Sequence, residues 1–249
     1  MHQGEPYLVK KLDTHAKVAR VASAAAADVP YYTQARDLTD IRVMEVYQDR
    51  PVGEGHGYLG RVEVSTTVVS YQKKAHYTDQ VLGEVYLDLP PQAFNTVALW
   101  LDLPPSTLAE IVRQRFDLAG GLHAAEHTMI GVLPVFALCD RNDIGGVSTA
   151  LHPDTGRPQV FIYDGHPGGV GIAEHGFRVL EQLCAATLEA VSACPCQDGC
   201  PSCIQSPKCG NNNQPLDKAV ACLLLQALVS GSSTKSVNGT DGTARPGRS

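Results

Sequence analysis

No segment of this 249-residue sequence is apolar for long enough to cross a bilayer. Its longest apolar run, around Ile130 to Leu138, falls far short of the roughly 20 residues a membrane helix needs. No charged n-region followed by an apolar h-region opens the chain, so its start does not read as an export signal. An excess of positive charge is missing too. Lys and Arg number 20 against 26 Asp and Glu, for a formal net charge of −6. That excludes a protein whose main affinity comes from neutralising phosphates along its whole surface. Any nucleic-acid contact must be local or supplied by a partner. A nucleotide fingerprint is also absent: the glycines between Asp164 and Gly171 fit neither G-x-G-x-x-G nor G-x-x-x-x-G-K-[ST], and no lysine follows them.

What the chain has in local excess is cysteine. Five of its eight cysteines, Cys194, Cys196, Cys200, Cys203 and Cys209, fall within sixteen residues in the pattern C-x-C-x3-C-x2-C-x5-C. Zinc takes four soft ligands in a tetrahedron, and thiolates this close in sequence supply them only where the backbone turns sharply. Pro195, Gly199, Pro201, Pro207 and Gly210 provide the turns. The expected ligands are Cys194, Cys196, Cys200 and Cys203, with Cys209 the substitute should the strained Cys194/Cys196 pair give up a member. Disulfides are the alternative, and they would need an exported chain. Cys139, Cys184 and Cys222 sit in apolar segments, where a reduced cysteine acts as a small hydrophobe, as expected of a cytoplasmic chain.

Residues 1–30 give weak signals: short strands at Tyr7 to Val9 and Val18 to Val21, then an alanine run. Tyr31-Tyr32 reads as half-buried packing. From Ile41 to Leu103 apolar residues alternate, in Val62/Val64/Thr66/Val68, Val85/Leu87/Leu89 and Phe94/Thr96/Ala98/Trp100, with Gly or Pro clusters between. Consecutive strands without intervening helices predict an antiparallel sheet and an α+β fold. His56 and His76 read as surface histidines. After Pro104-Pro105 the period becomes helical. Thr107-Leu108-Ala109-Glu110 resembles a capping box, and the stripe Leu108, Ile111, Val112, Leu118 is expected to stop at Gly120-Gly121. A second helix is expected from Leu122 to Leu138, bent at Pro134. One long helix carrying Val170, Ala173, Phe177, Leu180, Cys184, Leu188 and Val191 should lead into Cys194, and Asp217 should cap a last helix. The zinc knot thus lies between the last two helices. From Ser230 onward Ser, Gly and Thr dominate, which predicts a disordered tail over 230–249 and a main domain over 31–229.

His123-Ala124-Ala125-Glu126-His127 matches the H-x-x-E-H pattern of inverted zinc metalloproteases, with His123 and His127 one helical turn apart. Five residues with three fixed positions recur by chance, and the third ligand would have to be Glu174 or Glu181, neither in a ligand motif. The preferred reading is a polar seam on an apolar helix, which needs partners if buried; Asp143 and Asp164 are the candidates. The strand Gln159 to Tyr163 and the turn Asp164-Gly165-His166-Pro167-Gly168-Gly169-Val170-Gly171 form either a tight turn or an anion site at a helix start.

The segments His123 to His127, Cys139-Asp140 to Gly146, Tyr163-Asp164-Gly165 to Gly171, Gly199-Cys200-Pro201-Ser202-Cys203, and Ser206-Pro207-Lys208-Cys209-Gly210-Asn211 to Leu216-Asp217-Lys218 together resemble one known module. It is the zinc-binding C-terminal domain of the mitomycin-repair type of DEAD/DEAH-box helicases, long catalogued as a domain of unknown function. The likeness covers about residues 31–229. It implies cysteine-bound zinc, and association with a two-lobed ATP-driven motor that translocates on DNA during repair. It also implies that the segment His123 to His127 is a family feature rather than a protease site. The chain departs from the family in having no phosphate-binding loop and no Asp-Glu-x-His box, so it is not expected to hydrolyse ATP by itself. It reads as the fragment of a split helicase, which the start Met1-His2-Gln3-Gly4 suits, or as a stand-alone domain working with a separate motor. The expected function is a structural zinc module that guides single-stranded DNA, weakly when alone, through local cations such as Lys208, Lys218, Arg141 and Arg157. A zinc hydrolase and a zinc-stabilised protein-interaction domain are the alternatives.

Overall fold

The computed structural model describes residues 2–230 apart from Gly4, Pro6, Thr14, residues 25–28 and Asp79. The expected tail over 230–249 therefore lies almost wholly outside the described residues. The chain divides into two compact units, Met1–Thr39 with Thr66–Gln92, and Asp40–Ser65 with Ala93–Ser249.

In the first unit β1 (Tyr7–Asp13) and β2 (Val18–Ser23) form an antiparallel hairpin with Tyr7 opposite Ser23, as the two short apolar stretches predict. Two long strands, β3 (Tyr31–Val52) and β4 (Gly55–Ala75), run on from this unit into the other. Here β5 (Val81–Tyr86) pairs antiparallel with β4. Cross-strand side chains support the pairing of β4 with β5, where the Ser70 hydroxyl donates to Glu84 at 2.5 Å, and of β3 with β4, where the Thr39 and Thr66 hydroxyls lie 3.1 Å apart. Tyr31 and Tyr32 are half-buried, the first under the Lys73 ammonium and the second against the His76 ring.

The second unit holds the sheet's core and, among the described residues, all the helices. Gly53, at φ +54°, makes the turn from β3 to β4, a conformation that glycine adopts at little cost. Next come β6 (Gln92–Asp102), β7 (Ile144–Thr149) and β8 (Gln159–Asp164), giving the strand order β3-β4-β6-β8-β7. The β6–β8 and β7–β8 pairs are antiparallel, with Leu99 opposite Ile162 and Val147 opposite Phe161. Because side chains alternate across a strand, β6 serves two cores. Leu99 and Leu101, with Val160 and Ile162, meet the helices; Ala98 and Trp100, with Phe161, face the other way, where Tyr58, Trp100, Phe161 and His152 form a run of ring contacts.

Five helices cover the first of those faces: α1 (Pro105–Arg113), α2 (Leu118–Val132), α3 (Ile172–Arg178), α4 (Leu180–Ser192) and α5 (Lys218–Val229). The α+β class is as expected, and several boundaries are not. The Thr107 capping box is unused, since α1 begins at Pro105 with no side-chain cap, where proline's fixed φ suits the first turn. Gly120-Gly121 does not end a helix. Both lie in the first turn of α2, capped by Asp117, which accepts from Gly120 N at 2.9 Å, and a Cβ on Gly121 would collide with Val220 of α5. These glycines mark a close helix–helix approach. The same helix stops at Val132, and Leu133–Val135 is one turn of 3-10 helix holding Pro134, so Leu138 is exposed. The single helix expected after Val170 is two, broken at Val179 (φ −106°, ψ 22°), with Val170 itself outside and exposed. Among the described residues no helix is long and apolar enough to cross a membrane.

Candidate metal centre

Helix α4 ends at Ser192 and releases the chain into Cys194; α5 resumes at Lys218. Ile204, fully buried between them, pins the loop against Ala124 and Ala125 of α2, Val191 of α4, and Ala221 and Leu225 of α5. Gly199, at φ +106°, turns the backbone so that Cys200 and Cys203 face Cys194 and Cys196. The Sγ atoms lie 3.5 Å apart for Cys194 and Cys196, 3.6 Å for Cys194 and Cys200, 3.5 Å for Cys196 and Cys203, and 3.8 Å for Cys200 and Cys203. A tetrahedral zinc with Zn–S bonds of about 2.3 Å has S···S edges of about 3.8 Å, so the donor set fits the metal. All eight cysteines are free, and sulfurs 3.5 to 3.8 Å apart suit a shared metal better than the disulfide alternative.

Four thiolates around a dication leave two formal negative charges, and the fold answers them with Lys218. Its ammonium donates to Cys194 O at 2.7 Å, to Cys196 O at 2.6 Å and to Cys196 Sγ at 3.4 Å. Burial pushes the Cys196 thiol up, but hydrogen bonds with Cys203, Cys194, Cys200 and Lys218 outweigh it and bring the thiol down to about 7. Burial pushes Cys203 up to about 12.

Cys209 does not join these four. It stands with His123 and His127, and the three donor atoms lie within 4.8 Å of one another. Its Sγ is 3.4 Å from His123 Nε2, 86 positions away in sequence. The turn carrying it is stapled by Asn213, whose Oδ1 accepts from Ser206 N at 2.7 Å and whose Nδ2 donates to Ser206 O at 3.0 Å. The polar seam is therefore partnered, though not by Asp143 or Asp164. Glu126 is buried and hydrogen-bonded to Ser148 of β7, against Gly146, where a Cβ would crowd its carboxylate. Desolvation raises its pKa above the usual carboxylate range.

Asp164 fills, with the chain's own carboxylate, the turn that read as either a tight turn or an anion site. Fully buried, it accepts from Val170 N (2.6 Å), Gly171 N (2.9 Å), Ile172 N (3.3 Å) and Ala173 N (2.7 Å) at the start of α3. Asp143 pairs with His166 at 3.0 Å, a hydrogen bond that holds its carboxyl below the usual range, and it closes a capping box with Asp140.

Three of the four expected DNA-contacting cations have their donors engaged within the protein. Lys208 donates to Arg141 O at 2.7 Å and Ile144 O at 3.1 Å, and burial lowers its pKa. Lys218 serves the cysteines. Arg157 bonds Asp102 at 2.6 Å, beside Gln159, which donates to the same carboxylate. Arg141 is exposed. Sequence spacing missed the pairing of Cys209 with the histidines and the role of Lys218; the lysine one residue past the Asp217 cap was the available signal.

The family described as the MrfA Zn-binding domain matches residues 125–204. The uncharacterized ATP-dependent helicase YprA of Bacillus subtilis (strain 168) is 33% identical over 204 residues, 82% of this chain and 26% of that one. An uncharacterized protein of Methanocaldococcus jannaschii is 42% identical over 114 residues, 44% of this chain and 100% of its own length. The crystal structure of DUF1998 helicase MrfA bound to DNA matches with a TM-score of 0.58 at 29% identity, covering 91% of this chain and 29% of that one. The chain thus spans about a quarter of the curated helicase it matches. Zinc is the metal of the matched domain, and the four-cysteine cluster fits it. With four thiols set as a tetrahedron and the match running through all of them, the chain belongs to the family of MrfA zinc-binding domains.

Proposed function

We propose that this chain is the accessory zinc-binding domain, residues 31–229, of an ATP-dependent DNA helicase that acts in DNA repair. Cys194, Cys196, Cys200 and Cys203 hold its structural zinc, and the domain packs on motor lobes encoded with it or separately, contacting single-stranded DNA beside them. The observation carrying this reading is the likeness to an ATP-dependent helicase over 82% of the chain, supported by the likeness to a helicase crystallised on DNA. The absence of a phosphate-binding loop from the sequence assigns ATP hydrolysis to the partner lobes. The zinc-hydrolase alternative has less support, because Glu126 is not among the clustered donors of His123, His127 and Cys209.

The net charge is −6, and of the four expected DNA-contacting cations Lys208, Lys218 and Arg157 are engaged internally, which leaves Arg141. Binding of a fluorescent single strand by the isolated chain should be weak. Its salt dependence should be shallow, since each phosphate contact adds only about 0.7 to the logarithmic slope. Adding the motor lobes should tighten it by raising the effective concentration of strand. Nanomolar binding by the chain alone with a steep slope would overturn the accessory-domain reading.

A further inference from the structure

The cluster of His123, His127 and Cys209 has a surplus of lone pairs that hydrogen bonding does not resolve. His123 Nδ1 lies 2.8 Å from Pro215 O, and His127 Nδ1 lies 2.9 Å from Ile204 O. A carbonyl oxygen only accepts, so each Nδ1 carries its ring's proton, and each neutral imidazole is left with a bare lone pair on Nε2. Both histidines turn that end toward Cys209. The His123 Nε2 is 3.4 Å from the sulfur, and the His127 donor atom lies within 4.8 Å of both. The sulfur can give at most one proton, so three lone-pair donors face one another with no more than one hydrogen between them. It also accepts from Asn213 N at 3.2 Å, an N–H···S contact suited to a charged sulfur.

A cation at the centre resolves the surplus. With Zn–N about 2.0 Å and Zn–S about 2.3 Å, a tetrahedral zinc sets its N···S edges at about 3.5 Å, close to the distance between His123 and Cys209. Backbone carbonyls that fix the other ring nitrogen are the usual outer support of a metal-binding histidine. Two imidazoles and a thiolate favour zinc over hard cations such as magnesium or calcium.

We propose that His123, His127 and Cys209 bind a second zinc ion, separate from the four-cysteine site. Among the described residues no fourth His, Cys, Asp or Glu joins the group, so the site keeps one coordination position open to water or a small anion. Its ligands come from α2 and from the loop before α5, and the ion ties that loop to the helix independently of the four-cysteine site.

Metal analysis of the full chain, purified in zinc-containing buffer, tests this. Two zinc ions per wild-type chain are expected. His123→Ala and Cys209→Ser should each retain one, with circular dichroism unchanged. Cobalt substituted for zinc should give a second set of visible bands in the wild type that shifts on adding azide and disappears in Cys209→Ser. One metal per wild-type chain overturns the proposal whatever the variants do, and so do two that persist in either variant.

Discussion

The carboxylate of Asp164 lies 2.6 Å from the amide nitrogen of Val170 and accepts three further backbone N–H groups of the same turn. A fully buried side chain thus holds the junction of β8 and α3. Asp164→Ala would take the acceptor from four amides, of which those of Ile172 and Ala173 are buried away from water. The expected loss is about 3 to 5 kcal/mol in urea unfolding, with zinc content unchanged in the fraction that folds. A loss below about 1 kcal/mol would show that the turn holds itself.

Cys200→Ser should remove the zinc of the four-cysteine site and release Ile204 from the seam of α2, α4 and α5. Structural zinc adds about 10 to 16 kcal/mol in small zinc peptides, so several kcal/mol should go with it here. Lys218→Met is the finer probe, because it removes the ammonium and leaves the thiols. Zinc affinity measured by chelator competition should fall about 10- to 100-fold. An unchanged affinity would make Lys218 merely a cap on two carbonyls.

Gly121→Ala pits two effects against each other. Alanine favours a helix by about 1 kcal/mol, but its methyl would collide with Val220 of α5. In a packed interface the collision should win, for a net loss of about 1 to 3 kcal/mol on thermal unfolding. A more stable variant would mean that α5 moves aside at little cost.

Cys184, on α4, is fully buried, and burial pushes its thiol up to about 12. A raised value favours the protonated native state. That stability is complete below the ordinary thiol range and is lost as pH rises toward 12. This thiol should therefore cost the native chain about 1.4 kcal/mol per pH unit over that window, a contribution that Cys184→Ala lacks. Urea midpoints of both proteins from about pH 8 to 10 measure the difference, and parallel curves would contradict the burial.

The alternation from Ile41 to Trp100 made the sheet legible, and cysteine spacing made the four-thiol cluster legible, because both patterns are local. What stayed hidden was non-local. Gly120-Gly121 reads as a stop until α5, a hundred positions on, presents Val220 against it. The break at Val179 leaves no mark in a stripe whose residues are apolar on either side of it. Cys209 looks like a spare zinc ligand because its spacing resembles that of the others, yet its neighbours are histidines 86 and 82 positions earlier, and only folding brings them together. The glycine-rich turn after Asp164 read as either a tight turn or an anion site, and only folding shows that Asp164 itself takes the turn's N–H groups.

The order in which the strands pair bears on how the chain emerges during synthesis. Asp102 at the end of β6 pairs with Gln159 at the start of β8, 57 residues later. At about 5 to 20 residues per second, β6 leaves the ribosome roughly 3 to 11 s before the strand that covers its inner edge exists. Its residues Leu99, Trp100 and Leu101, almost wholly buried in the finished protein, wait in that interval beside an unpaired backbone edge. The nascent chain is therefore most exposed to wrong partners at this strand, and a synonymous change that slows translation between Asp102 and Gln159 should lower soluble yield while leaving the amino-acid sequence intact.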